Sequence, residues 1–247
     1  MKRLIGVGVG PGDPELVTVK AVRVLREADV VLVPVLAGPA PEQPEPGRAE
    51  TIVRAYVDTD KVKRLEFALN DTGGVTPRRA AAWRTAAAVV AGEFATGANT
   101  IAFGTLGDPN LYSTFSYLAQ TVRDLVPDVD VQTMPGITAM QDLAARSGTV
   151  LCEGRESLAL LPLTAGIECF RTALSTFDTV VGYKSGRHLP EVITAVRDAG
   201  RLDGAVHGAS LGLPGEDIRP AGAVTGPAPY LSTLLVPGRR TIRGGKL

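Results

Sequence analysis

The segment DVVLVPV at 29–35 is apolar at six consecutive positions rather than at every second one. A strand with one face in water alternates, whereas a strand without alternation has both faces covered, as in a parallel sheet packed by helices on each side. Parallel neighbours cannot be joined by a tight hairpin and need a crossover of about a dozen residues or more. The chain supplies one. The apolar run at 3–9 opens straight onto glycines, and LVTVKAVRVLREA at 16–28 then spaces Leu16, Val19, Val22 and the pair Val24/Leu25 as one face of a helix. Residues 3–35 therefore read as a β-α-β unit.

The same alternation continues. Residues 36–48, rich in Pro and Glu, read as a semi-rigid exposed loop, and a short helix is expected near 48–56. TPRRAAAWRTAAAVVAGE at 76–93 predicts an Ala-rich helix with Pro77 at its first position and Gly92 near its end. NTIAFG predicts a strand. PNLYSTFSYLAQTVRDLV predicts a helix beginning at the proline, with Leu111, Phe115, Leu118, Val122 and Leu125 on one face. VDVQTM is a strand and PGITAMQDLAARSG a short helix. Beyond these come strands at 157–162, 179–183 and 205–208, helices at 166–174 and 188–199, and a final strand in PYLSTLLVPG. The pattern is that of an α/β protein. The Gly- and Ser-bearing break near 140–150 divides it into two α/β domains, 1–146 and 147–247.

Composition removes several function classes. The 247 residues carry 26 basic and 26 acidic side chains, so no global charge drives the chain toward nucleic acid or an anionic membrane. VVLVPVLA at 30–37 is far too short for a membrane span, and the basic start lacks an apolar signal core, which leads us to expect a cytoplasmic protein. Two cysteines imply no disulfide framework, and the two Cys and two His lack ligand spacing, so no metal site is expected.

Chemistry concentrates in the turns. GVGVGPGD at 6–13 resembles a dinucleotide fingerprint but fails its spacing, since Pro11 or Asp13 stands where the third glycine belongs. That argues against an NAD-dependent oxidoreductase. Gly-Asp-Pro-x-Leu occurs twice, at 12–16 and 107–111. One explanation is helix-start chemistry, with Asp13 or Asp108 capping and proline at the first helical position. The other is a ligand site, because these turns and MPGITA at 134–139 follow strands whose carboxyl ends bind ligands in open α/β sheets. GASLG at 208–212 satisfies the nucleophile-elbow pattern, but both histidines, His188 and His207, precede Ser210, which excludes the hydrolase chain order. YKSGRH at 183–188 follows a strand and by composition reads as a solvated loop, although its cations are also placed to meet a carboxylate-rich ligand.

In combination, GVGVGPGDPELVTVKAVRVLREADVV, GDPNLYSTFSYL, PGITA at 135–139 and PYLSTLLV resemble, in that order, the tetrapyrrole methylases of siroheme and cobalamin synthesis. The extension YSTFSYL and the closing PYLSTLLV are most similar to the branch that methylates precorrin-2 at C20, giving precorrin-3A. The resemblance implies a two-domain α/β homodimer with S-adenosyl-L-methionine in the cleft between domains and S-adenosyl-L-homocysteine as product. Carried over by motif, the cofactor-binding positions are Pro11, Leu106, Gly107, Asp108, Leu111, Thr138 and Ala139, with Tyr183, Lys184, Ala209 and Ser210 in the second domain. Asp108, Tyr112 or water is implied as acceptor of the final proton. A substrate of many carboxylates needs cations, for which Arg48, Arg78, Arg79, Lys184 and Arg187 are the candidates. A sibling methylase acting on another carbon or on a cobalt-containing substrate is the nearest alternative. A non-catalytic tetrapyrrole-binding module is another.

Overall fold

Strand β1 (Arg3–Gly8) is buried from its second residue to its last and lies inside a parallel sheet. The computed structural model describes residues 1–36, 45–69, 71 and 74–242, the side chain of Arg187 excepted. The loop expected at 36–48 therefore lies outside the described residues from 37 to 44. The described chain divides into two compact units, Met1–Thr138 and Ala139–Leu247.

In the first unit, β1 is followed by α1 (Val19–Glu27), β2 (Val30–Leu36), α2 (Arg48–Arg54), β3 (Val62–Phe67), α3 (Pro77–Ala95), β4 (Thr100–Thr105), α4 (Phe115–Leu125) and β5 (Asp130–Met134). The strands lie in the order β3-β2-β4-β1-β5, and every pairing is parallel. The unalternating run in β2 is accounted for directly. Leu32 packs with Phe67, Phe103, Phe115 and the buried residues of α3 and α4, while Val31 and Val33 pack on the other face with Ile52, Val53, Ala21 and Leu25 of α2 and α1. Fully burying such a side chain is worth about 1.5–3 kcal/mol, so the two-sided core dominates this unit.

Two helix starts differ from expectation. Helix α1 begins at Val19, not Leu16, with the Thr18 hydroxyl accepting the Ala21 N–H at 3.1 Å. Val19 consequently points into solvent, 89% exposed, and the apolar face is made by Ala21, Val24 and Leu25. Helix α4 begins at Phe115, so Leu111 lies outside it, and Leu125 at its far end is exposed. Strand β3, not expected from the sequence, carries Lys63, Arg64 and Glu66 at exposed positions because it is an edge strand. Its Arg64 reaches Glu50 of α2 at 2.9 Å, and Arg54 reaches the same carboxylate at 2.7 Å. Burial pushes the Glu50 carboxyl up, but the hydrogen bonds from Arg64 and Arg54 outweigh it and hold the group below its ordinary value. This triad fastens α2 to the sheet edge.

The second unit runs α5 (Ala139–Ser147), β6 (Leu158–Pro162), α6 (Ile167–Thr176), β7 (Thr179–Tyr183), α7 (Leu189–Asp198), β8 (Val206–Ala209), β9 (Asp217–Pro220) and β10 (Ser232–Val236). Its sheet, β6-β7-β10-β8-β9, is mixed. Only β6 and β7 pair in parallel, and β10 runs antiparallel to both of its neighbours. Helices α6 and α7 cover one face, and α5 packs on the other against Val181 and Leu235. The unit accordingly begins at Ala139, ahead of the Gly148 turn near which the sequence breaks. Arg201 knits the amino-side edge, donating to the carbonyls of Leu174 at 2.8 Å, Phe177 at 3.0 Å and Val236 at 3.3 Å, and to that of Asp178. Among the described residues no helix is long and apolar enough to cross a membrane.

His207 lies in β8 opposite Leu234 of β10 and Arg219 of β9, 1% exposed, and among the described residues neither ring nitrogen has a hydrogen-bond partner. Burial holds its imidazole below the ordinary 6.5; Asp217 opposes that shift and Arg219 adds to it. The unfolded chain therefore takes up this proton first. The stability from a neutral His207 is complete above pH about 6.5 and declines as pH falls below it, by at most about 1.4 kcal/mol per pH unit. Urea midpoints measured from pH 7.5 to 5 should show this decline in the natural chain and a shallower one in His207→Gln; equal slopes would contradict the assignment.

Candidate functional site

Strands β4, β1 and β5 are neighbours, so their carboxyl ends at Thr105, Gly8 and Met134 bring three glycine-bearing turns side by side. The backbones are stitched directly. The Val9 N–H donates to the Thr105 carbonyl at 2.9 Å, and the Gly107 N–H donates to the Gly10 carbonyl at 2.8 Å. No side chain fits here. A Cβ on Gly136 would lie 2.1 Å from the Gly107 carbonyl oxygen, and one on Gly8 would lie 2.5 Å from the same atom. Asp108 closes the cluster: one carboxylate oxygen accepts the Asn110 N–H at 2.8 Å and the other accepts the Gly136 N–H at 3.0 Å. The aspartate thus clamps the second turn to the third.

The two Gly-Asp-Pro copies do not start long helices. Asp13 caps a single 3₁₀ turn, Pro14–Leu16, accepting the Glu15 N–H at 2.9 Å. After Asp108 and Pro109 the chain makes a tight turn, closed by the Leu111 N–H on the Asp108 carbonyl at 3.2 Å. Tyr112 then takes a left-handed backbone, φ +51°, which a right-handed helix cannot contain. Ser113 accepts the Phe115 N–H at 3.1 Å and shares a 2.9 Å hydrogen bond with Thr105, so α4 starts there. Tyr112 is 45% exposed, and partial burial pushes its phenol above the ordinary 10.

Of the other candidates in the first unit, Pro11, Leu106, Gly107 and Leu111 are half-buried in these turns, and Thr138 is buried beside Gly107. A helix joining parallel strands starts on the carboxyl side of the sheet. Arg78 and Arg79 open α3 and so lie on that side. Arg79 donates to the Gly74 carbonyl at 2.8 Å, with its guanidinium 5.8 Å from the Trp83 ring, which stacks on Tyr117 at 4.5 Å. Arg48 is the first residue of α2 and half-buried.

In the second unit, the ends of β7 and β8 flank the start of β10: Tyr183 pairs with Thr233 and Ala209 with Ser232. Lys184 and Ser210 follow those ends with φ +62° and +52°; with Tyr112 they are the non-glycine residues at positive φ among those described. Ser232 secures the first turn. Its carbonyl accepts the Lys184 N–H at 3.1 Å, its hydroxyl meets that of the buried Ser185, and the Lys184 ammonium lies 5.9 Å from the Tyr230 ring. Here the PYLSTLLV motif acquires a physical meaning. The Tyr183 hydroxyl accepts the Met140 N–H at the start of α5, at 2.9 Å. Ala139, the first residue of α5, and Ala209 pack inside this unit. The side chain of Arg187 lies outside the described residues. Sequence reasoning missed Ser232, Ser113 and the clamp function of Asp108, whose partners are distant in sequence. Gly8 and Gly136 were visible as glycines but not as neighbours.

The family described as Tetrapyrrole (Corrin/Porphyrin) Methylases matches residues 3–223. The chain is 33% identical to a precorrin-2 C(20)-methyltransferase of Sinorhizobium sp, over 96% of this chain and 95% of that protein. It is 32% identical to the cobalt-precorrin-2 C(20)-methyltransferase of Salmonella typhimurium, over 95% of each. Among solved structures it shares its fold with the methyltransferase CobJ, at a TM-score of 0.66, 19% identity and coverage of 98% and 97%. A uroporphyrin-III C-methyltransferase from Thermus thermophilus, complexed with S-adenosyl homocysteine, gives a TM-score of 0.63 at 21% identity, covering 94% of this chain and 96% of that one.

The glycine cluster makes a sharp prediction. Gly136→Ala should destabilise the chain by about 2 kcal/mol or more, because backbone rather than a flexible side chain must give way. Gly92→Ala, on an exposed face of α3 with nothing within 4 Å of the added carbon, should stabilise by up to about 1 kcal/mol. Urea unfolding of both variants checks this, and similar shifts for the two would contradict it.

Proposed function

The chain belongs to the tetrapyrrole methylases and is a methyltransferase, and from that premise we propose that it carries a methyl group from S-adenosylmethionine to C20 of precorrin-2 in cobalamin synthesis. The observation carrying this reading is the full-length similarity to proteins named for C20 methylation of precorrin-2 and cobalt-precorrin-2. The site chemistry supports the cofactor. The glycine turns lie at the carboxyl ends of parallel strands, where ligands bind in such sheets, and lack the glycine spacing of a dinucleotide fingerprint, which fits a cofactor without phosphate. Residues of the first turns (Pro11, Leu106, Gly107, Leu111) and Thr138 would hold it, together with Ala139 and the backbone of Tyr183–Lys184 and Ala209–Ser210.

When bound, S-adenosylmethionine supplies an activated methyl group and leaves as S-adenosylhomocysteine. What the chain itself contributes is position and exclusion of water, and reactants held at attack distance can recover about 7–11 kcal/mol of a bimolecular barrier. Asp108 serves as a clamp, since both of its oxygens are already engaged by backbone N–H groups. Tyr112, with its phenol pushed up by burial, is a poor base at neutral pH. We therefore assign the final proton on C20 to water, and read the strained Tyr112 as a contact to ligand. The cations Arg48, Arg78, Arg79, Lys184 and Arg187 are the proposed partners of the substrate carboxylates.

Calorimetry should show S-adenosylhomocysteine binding and no binding of NAD; the reverse would sink the cofactor assignment. Incubation with precorrin-2 and, separately, cobalt-precorrin-2, followed by NMR of the product, should place the new methyl on C20 of the metal-free substrate; turnover of the cobalt form alone would move the assignment to that branch. Tyr112→Phe should keep kcat within about threefold, whereas a loss of about 100-fold or more would make the phenol a proton-transfer group. Asp108→Asn leaves one N–H without an acceptor and should raise KM for S-adenosylmethionine by about tenfold. A large kcat loss at unchanged cofactor affinity would instead identify Asp108 as the base.

A further inference from the structure

Helix α5 is gripped near both ends by residues of the second unit, one at the end of β7 and one in the turn before β9. The first N–H groups of a helix have no partner within it. Here the Met140 N–H is taken by the Tyr183 hydroxyl at 2.9 Å, from the last residue of β7. Further along the helix, the buried Asp142 carboxylate is paired with Arg146 at 2.7 Å, and Arg146 reaches Glu216 at 3.1 Å. Glu216 in turn accepts the Gly212 N–H at 2.6 Å, closing the turn that follows Ser210, where the Leu213 N–H meets the Ser210 carbonyl at 3.0 Å. One helix thus joins the three backbone segments of this unit assigned above to the cofactor: Ala139, Tyr183–Lys184 and Ala209–Ser210.

The left-handed backbones at Lys184 and Ser210 each cost about 1–2 kcal/mol and persist only where surrounding structure over-determines them. Ser232 supplies that restraint for Lys184, and Glu216 for the turn beginning at Ser210. We propose that the Tyr183 hydroxyl and the Glu216 carboxylate are positioning residues: acting through α5, they hold the second unit's share of the cofactor site in its binding geometry. This inference rests on the S-adenosylmethionine reading. The Tyr183 hydroxyl accepts from α5, and in this proposal it acts on affinity through that helix, while the backbone at 183–184 meets the ligand. Arg146 is unsuitable for testing, because its removal leaves the buried Asp142 carboxylate without its ion pair and threatens the fold.

The test uses the full chain with Tyr183→Phe, which removes only an oxygen, and Glu216→Gln, which keeps the size and one acceptor. In each variant the Kd for S-adenosylhomocysteine and the KM for S-adenosylmethionine should rise about 5- to 20-fold, the loss of one or two well-placed hydrogen bonds. The KM for the tetrapyrrole and kcat at saturating cofactor should stay within about threefold. Because both act on one helix, the double variant should lose less than the product of the single effects. A fall in Tm with cofactor Kd unchanged in Tyr183→Phe and Glu216→Gln would overturn the proposal, as would equal rises in both KM values. If Glu216→Gln does not fold, Tyr183→Phe alone decides. Failure of the natural chain to bind S-adenosylhomocysteine overturns the cofactor assignment itself, whereas binding that survives in both variants overturns only the positioning role.

Discussion

The carbonyl oxygen of Gly107 occupies the space where a side chain on either Gly8 or Gly136 would stand, and the carboxyl edge of the first sheet is organised around that approach. The three turns meet backbone to backbone at these glycines, with the Asp108 carboxylate as the side chain that ties them. Such a surface is rigid, since β4 and β1 are buried on both faces and all three strands that end in it pair in parallel. It is also chemically specific, because its donors and acceptors have fixed directions. The clamp from Asp108 to Gly136 keeps the second turn on the third, and the Gly10–Gly107 bridge keeps the first on the second.

The second unit solves a similar problem with different means. Its sheet is mixed, so the starting end of β10 sits among the finishing ends of β7 and β8. The strand that begins there can offer Ser232 to the turn beside it, which a parallel strand, starting at the opposite edge, could not. Two residues beyond the strand ends, Lys184 and Ser210, accept strained backbones that hydrogen bonds from neighbouring segments hold in place. Strain maintained at the ends of these strands persists because neighbouring segments over-determine the backbone there.

Much of the architecture was legible in short stretches. The unalternating run Val30–Val35 implied two covered faces, and Leu32 and Val33 do face opposite cores. Helix α3 starts where Pro77 places it, capped by Thr76. The two misread helix starts share one cause. A capping aspartate followed by proline looks the same before a helix and before a single 3₁₀ turn, and both copies proved to be turns. The charged edge strands β3 and β9 lack the hydrophobic pattern that marks a strand, because half of each is in solvent or in ion pairs. The left-handed Tyr112 carries no local signal at all, since neither its neighbours nor its own chemistry asks for it.

By itself, then, the sequence determined the class of fold, most of the succession of elements, and the family, through periodicity and motifs that act over a few residues. Only the tertiary structure decided which turns touch. It gave Asp108 to Gly136 rather than to a helix, set Ser232 beneath Lys184, and sent the Tyr183 hydroxyl to α5. The physical reason is that these contacts depend on strand order and direction, β4-β1-β5 in one sheet and an antiparallel β10 in the other. Such order is chosen by the packing of whole faces, and no local stretch of sequence carries it.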